Sequence, residues 1–170
     1  DWRMPRALAA IAVGALLAIA GALFQTVTRN PLASPDILGL SNGAFTGMLI
    51  ALVFVSPSWP ARAAGSLVGC LAASVVIWLL SYRGGIQGFR LIVVGIGVSA
   101  MLASLNTWML LQVELETAMF ASAWGHGSLN GVTGDALGGV LLIAAPVALA
   151  AFALVPALRQ LELGDDLATA

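Results

Sequence analysis

Five stretches of this chain carry no charged residue: 7–28, 37–61, 63–82, 91–113 and 136–158. Each is long enough for the ~20 mostly apolar residues that carry a helix across ~30 Å of hydrocarbon. A charged side chain at mid-bilayer costs about 2.5–3.5 kcal/mol on insertion scales, so charges in a membrane protein collect in the connections. They do so here, and the pattern predicts an all-α, polytopic membrane helical bundle with spans near 7–26, 37–55, 62–81, 90–111 and 136–157. A further charge-free run, 117–134, is too rich in Gly, Ser, Thr and Asn to be a span. It reads as a surface loop with one short helix. Composition agrees: 60% of residues are hydrophobic and 9% charged, against ~25% charged in soluble domains. The net charge of -1 gives no basis for a nucleic-acid partner. The single cysteine, Cys70, lies mid-span, has no partner for an internal disulfide, and reads as a small packing residue.

The first span runs on through Gln25 into "TRNP" without a small-residue cleavage site, so it is read as an anchor and not a signal peptide. The chain opens on Asp1 and stops at "LGDDLATA" as a new helix starts. One partial transmembrane domain, 1–170, within a longer protein is expected. Small residues recur every fourth position: Ala10, Gly14, Ala18 and Ala22; Gly65, Gly69 and Ala73; Gly95, Ser99, Ala103 and Thr107. Lipid tails give helices no hydrophobic reason to associate, so close approach along small faces must supply it. The basic residues, all Arg, divide weakly between the two sides. Arg29, Arg83, Arg90 and Arg159 oppose Arg3, Arg6 and Arg62, which favours the first group as cytoplasmic. Trp2, Trp59, Trp108 and Trp124 sit near span ends, where an interfacial belt places them.

Between the first two spans lies "RNPLASPDILG". Asn30-Pro31 breaks a helix, because proline keeps its predecessor out of helical geometry. Ser34-Pro35-Asp36 starts one: Ser caps, Pro suits the first position, and Asp complements the dipole. The result is a stiff, defined corner.

The ordered set "WRMPR", "GALLAIAGALFQ", "RNPLASPDILGLSNGA", "LIVVGIGVSAML", "WGHGSLNG" and "LELGDDLA" resembles the permease family of ABC importers for ferric siderophores, haem and vitamin B12. The resemblance covers essentially the whole chain and implies five of about ten spans. It implies that "RMPR" faces outward and that "RNPLA" and "LELGDD" face the cytoplasm. By the resemblance, Arg3 and Arg6 dock the extracytoplasmic substrate-binding protein, as guanidinium forks pairing with carboxylates. Leu163, Gly164, Asp165 and Asp166 begin a coupling helix seated on an ABC ATPase subunit. Asn30 and the 84–89 loop, including Gly88, match gate elements. The loop's "GGIQGF" departs from the small hydroxyl residues of the vitamin B12 type. The fourth span matches the pathway helix, with Gly95, Ser99 and Asn106 small or polar along it. A second permease subunit, identical or not, is implied as partner, and the bacterial cytoplasmic membrane as location.

The expected function is therefore a transmembrane permease subunit importing ferric siderophore, with vitamin B12 or haem as the alternative cargo. ATP hydrolysis is expected on a separate subunit, since a phosphate-binding loop with its Lys cannot exist in a chain without lysine. No cofactor or metal site is expected: His126, the single histidine, lacks convincing co-ligands in Glu114 and Glu116. A secondary transporter would want an intramembrane carboxylate, whereas every acidic residue lies outside the predicted spans. A purely structural bundle would have no ATPase partner.

Overall fold

The computed structural model describes residues 3–28, 30, 31, 34–82 and 88–162. In chain order these form helix α1 (Arg3–Thr28), a 3-10 turn (Pro35–Leu38), α2 (Leu40–Phe54), α3 (Trp59–Ser81), α4 (Gly88–Gln112), α5 (Leu115–Gly125) and α6 (Gly134–Glu162). No strand occurs among the described residues. Helices are the natural answer in lipid, where every backbone N–H and C=O must be satisfied within its own segment. α1, α3, α4 and the 136–158 part of α6 are long and apolar enough to cross a membrane. α2 is the shorter apolar fifth: 15 residues, rising about 22 Å.

The shortness of α2 has a local cause. A span was expected over 37–55, but Gly39 takes φ +77° in the left-handed region, which side chains with a Cβ disfavour. The helix therefore restarts at Leu40, behind the 3-10 turn. The expected capping at Ser34-Pro35 becomes a start for that turn instead. Ser41 donates its hydroxyl to Asp36 Oδ1, and the Gly39 N–H donates to the Asp36 carbonyl at 3.0 Å.

By contact the chain divides into two compact units, Asp1–Ser34 with Leu129–Ala170, and Pro35–Ser128. In the first, α1 packs along α6. Ala9 is buried on α1, and Ala136, Ala144 and Ala151 are buried on α6. The expected small-residue face of α1, Ala10, Gly14, Ala18 and Ala22, is instead exposed within this chain. Pro146 and Pro156 lie inside α6, each removing one helical donor. α1 closes with the Thr28 hydroxyl donating to the Phe24 carbonyl at 2.7 Å and the Asn30 N–H donating to the Gln25 carbonyl at 3.2 Å. Pro31 follows.

In the second unit α2 and α3 lie backbone against backbone. Gly43, Gly47 and Ala51 on α2 meet Gly65, Gly69 and Ala73 on α3. A Cβ built on Gly65 would stand 2.5 Å from the Gly47 carbonyl oxygen, and one on Gly69 would stand 2.8 Å from the Gly47 Cα. Neither backbone can retreat cheaply. α5 closes the other side of α2. Met48, Leu49, Met109 and Ala121 form a small core, and Phe45 stacks on Trp124 with ring centroids 6.1 Å apart.

Overpacking that seam should destabilise the fold. Gly69→Leu in the full-length protein is expected to lower the melting temperature in detergent, at a cost of at least about 1–3 kcal/mol. Gly14→Leu, on a position with open space around it, should leave the melt unchanged.

Candidate functional site

The corner after α1 and the face of α4 it touches form the most organised polar region of the second unit. Leu38 and Gly39, at the end of the 3-10 turn, rest against Gly95 and Ser99 of α4. A Cβ on Gly39 would fall 2.6 Å from the Ser99 Cβ, and a Cβ on Gly95 would fall 2.6 Å from Leu38 Cδ2. Gly95 and Ser99 are one helical turn apart, so the two small residues make a single notch that accepts the turn.

One turn beyond the notch, α2 and α4 are joined by side chains. Asn42 Nδ2 donates to Ser99 Oγ at 2.8 Å. Asn106 Nδ2 donates to the Asn42 carbonyl at 3.2 Å. The Thr46 hydroxyl lies 2.7 Å from Asn106 Oδ1 and 2.8 Å from the Asn42 carbonyl. It has one hydrogen for two acceptors. Asn106 is 3% exposed and Thr46 is 7% exposed, so these bonds form away from solvent. Interhelical hydrogen bonds of this kind contribute about 0.6 kcal/mol each, up to about 1.7. The other polar groups of α4 behave differently. Ser104 and Thr107 are exposed and donate to their own helix, at the Ala100 and Ala103 carbonyls.

The expected site residues thus separate. Ser99 and Asn106, expected along a pathway, spend their hydrogen bonds on α2. Gly95 seats Leu38. Gly88, the first residue of α4, has open space around it, and the neighbouring Phe89 is 82% exposed. The rest of the 84–89 loop, residues 84–87, lies outside the described residues, as do Arg29, Leu163, Gly164, Asp165 and Asp166. Asn30 is half-buried at the end of α1. Arg90 reaches back across the α3–α4 connection, its Nη2 donating to the Leu80 carbonyl at 3.1 Å. That places a cation on the C-terminal end of α3, where the helix dipole favours one.

At the N-terminal end of α1, Arg3 is exposed and Arg6 half-buried. Arg6 Nη2 donates to the Asn130 carbonyl at 2.8 Å, so this arginine braces the loop before α6. In the second unit the Arg62 guanidinium sits over the Phe120 ring, 4.6 Å from its centroid, which pins α5 to the start of α3 by cation–π attraction. His126 ends α5, its Nδ1–H donating to the Ser122 carbonyl at 2.6 Å. Among the described residues no group of three His, Cys, Asp or Glu side chains comes together.

Asn42, Thr46 and Arg62 also organise the second unit. The first two were legible as polar residues four apart in the second span, the spacing that puts both on one helix face. Arg62 was read only as a side marker.

Taken together, these features define a multi-pass, all-helical membrane protein whose helices are joined by neutral polar bonds and small-residue contacts. The sequence profile described as the FecCD transport family matches residues 1–170, and the chain belongs to that family of transport permeases. The ferric enterobactin transport system permease protein FepG of Escherichia coli K12 is 46% identical over 170 residues, covering 100% of this chain and 52% of that protein. The achromobactin transport system permease protein CbrC of Dickeya dadantii is 37% identical over 149 residues, 85% of this chain and 43% of that protein. The chain spans about half the length of these relatives. The fold is similar to that of a metal-chelate type ABC transporter in an inward-facing conformation, with a TM-score of 0.82 and 24% identity over 99% of this chain and 54% of the other.

Replacing Arg6 by Ala should loosen the loop before α6. Limited proteolysis of the full-length protein in detergent is expected to cut around 129–131 faster in Arg6→Ala than in the wild type, whereas Arg3→Ala should cut at the wild-type rate.

Proposed function

We propose that this chain is part of the permease subunit of an ABC importer that moves a ferric siderophore across the bacterial cytoplasmic membrane. The observation that carries the reading is 46% identity, over the whole chain, to a ferric enterobactin permease. The permease works as a pair with a second permease subunit, identical or not. ATP is hydrolysed on separate ATPase subunits, and an extracytoplasmic binding protein delivers the cargo.

The residues take the following parts. Arg3, exposed at the first turn of α1, offers its guanidinium to an acidic patch on the binding protein, and Arg6 contributes while holding the neighbouring loop in shape. Leu163, Gly164, Asp165 and Asp166 start the segment that seats on the ATPase. Closure of the ATPase pair on ATP pushes this segment and the Asn30 corner, which converts nucleotide chemistry into rocking of the spans. Asn30 and Gly88 belong to the cytoplasmic gate. α4 is the pathway helix: Gly95, Ser99 and Asn106 set its position, and Gly97, Ser104 and Thr107 lie on its exposed faces. Beyond Arg90 this helix carries no charge. The exposed hydroxyls of Ser104 and Thr107 are already satisfied by the helix's own backbone, which suits a surface that a large chelate must slide past without sticking.

The decisive measurement is uptake into vesicles holding the full-length permease with its ATPase and binding protein, using a panel of ferric chelates, cobalamin and haem. ATP-dependent uptake of a ferric siderophore is expected. Uptake of only cobalamin or haem would replace the cargo, and ATP-independent uptake would overturn the importer reading. Arg3→Glu with Arg6→Glu should weaken capture of the loaded binding protein by about tenfold at low salt, with less effect at high salt where charge attraction is screened. A thiol crosslink from Leu163→Cys or Ala168→Cys should form to an ATPase subunit in the assembled complex.

A further inference from the structure

We propose that Asn42, Thr46, Ser99 and Asn106 are positioning residues: a neutral polar clamp that makes the Pro35–Gly39 corner, α2 and α4 move as one piece. The inference rests on the reading of α4 as the pathway helix and of the corner as the place where force arrives. It goes beyond that reading in naming what keeps the two in register.

Two independent locks act on the same pair of elements. The first is steric. Leu38 and Gly39 fit the notch at Gly95 and Ser99 so closely that an added Cβ on Gly39 or Gly95 would stand 2.6 Å from its neighbour. The second is polar and lies further along. Asn42 is bonded to Ser99 at 2.8 Å, and Asn106 is bonded to the Asn42 carbonyl at 3.2 Å and to Thr46 at 2.7 Å. The Ser99 side chain takes part in both locks. Slipping α4 along α2 by one turn, about 5.4 Å, would strand the Asn106 amide, 3% exposed, without its partners Thr46 and the Asn42 carbonyl. Buried polar groups resist that strongly.

The clamp answers a need that lipid creates. α2 and α3 are held by direct backbone approach, but α2 and α4 meet beyond Ser99 through longer side chains. In a bilayer, apolar contact alone lets such helices slide, because lipid satisfies them equally well. Hydrogen-bonded amides and hydroxyls supply a register that apolar packing cannot. They carry no charge, so the register does not change with pH. A push on the corner therefore reaches α4 without loss into sliding between the two helices.

The test uses the full-length permease assembled with its ATPase and binding protein in vesicles. Spin labels replace Phe54 on α2 and Leu111 on α4, both well exposed at 75% and 77%. The expected result is the same distance distribution with and without ATP, while a reporter pair joining α1 to α4 changes. A nucleotide-dependent change between positions 54 and 111 would overturn the clamp, and this readout needs no variant of the clamp itself. The Thr46→Val, Asn106→Leu double variant removes donors and acceptors together, which avoids leaving half of a pair buried. Its 54–111 distribution should broaden, and cargo moved per ATP hydrolysed should fall roughly tenfold, the scale of two lost interhelical hydrogen bonds. Thr46→Ser alone, which keeps the hydroxyl, should leave both readouts as in the wild type. Unchanged transport per ATP in the double variant, or a Thr46→Ser variant as defective as the double variant, would sink the proposal. Should the wild-type complex move no cargo with ATP, the importer reading fails. Broadening of the 54–111 distance in the resting double variant would then still report whether the clamp exists.

Discussion

The close approach of α2 and α3 is the contact on which the larger unit depends. Water is absent from the bilayer core, so burying apolar surface brings no gain there and dispersion must hold helices together. Dispersion falls away steeply with distance, and only glycine and alanine let two helical backbones touch. Gly43, Gly47 and Ala51 against Gly65, Gly69 and Ala73 meet that condition along three successive turns. With α2 anchored, its remaining faces become surfaces on which other elements are placed. α5 stacks Trp124 on Phe45, and α4 hydrogen-bonds Asn42 and Thr46 through Ser99 and Asn106.

The corner between α1 and α2 shows how local chain chemistry becomes placement. Asn30-Pro31 ends one helix. Pro35 and Asp36 open a 3-10 turn, and Gly39 turns left-handed to start the next helix. Each of these steps is a single-residue event, yet their product is a rigid wedge, Leu38–Gly39, that fits a notch of matching size on α4. A bulkier residue at Gly39 or Gly95 would fail twice, once on backbone conformation or helix approach and once on volume. A wedge in a notch bears compression without needing strong bonds.

Among the described residues, three arginines near helix ends are tied into the fold. Arg90 caps α3, Arg62 lies on Phe120, and Arg6 holds Asn130. Within α4 beyond Arg90 the polar groups are neutral, and Ser99, Ser104, Asn106 and Thr107 each find a carbonyl or a partner side chain. Under the proposed function this arrangement would suit a large chelate, since a wall whose hydrogen bonds are already made offers a charged cargo little to hold.

Much of this was legible in one dimension. The five charge-free runs set the helices and the membrane, because the cost of a buried charge is local and acts on each residue alone. The ordered motifs pointed to the family for the same reason that the corner could be read: Pro, Gly and Asn act on their own backbone. What only the tertiary structure decided was which face of each helix meets which neighbour. The α1 stripe Ala10, Gly14, Ala18 and Ala22 met every sequence criterion for packing, yet it is exposed within this chain. The equally small faces of α2 and α3 met each other. Ser99 and Asn106 could be seen as polar residues at bilayer depth, but their turning toward Asn42 and Thr46 could not. Whether a polar group faces a cavity or a helix depends on residues some sixty positions away, and contacts at that separation exist only once the chain has folded.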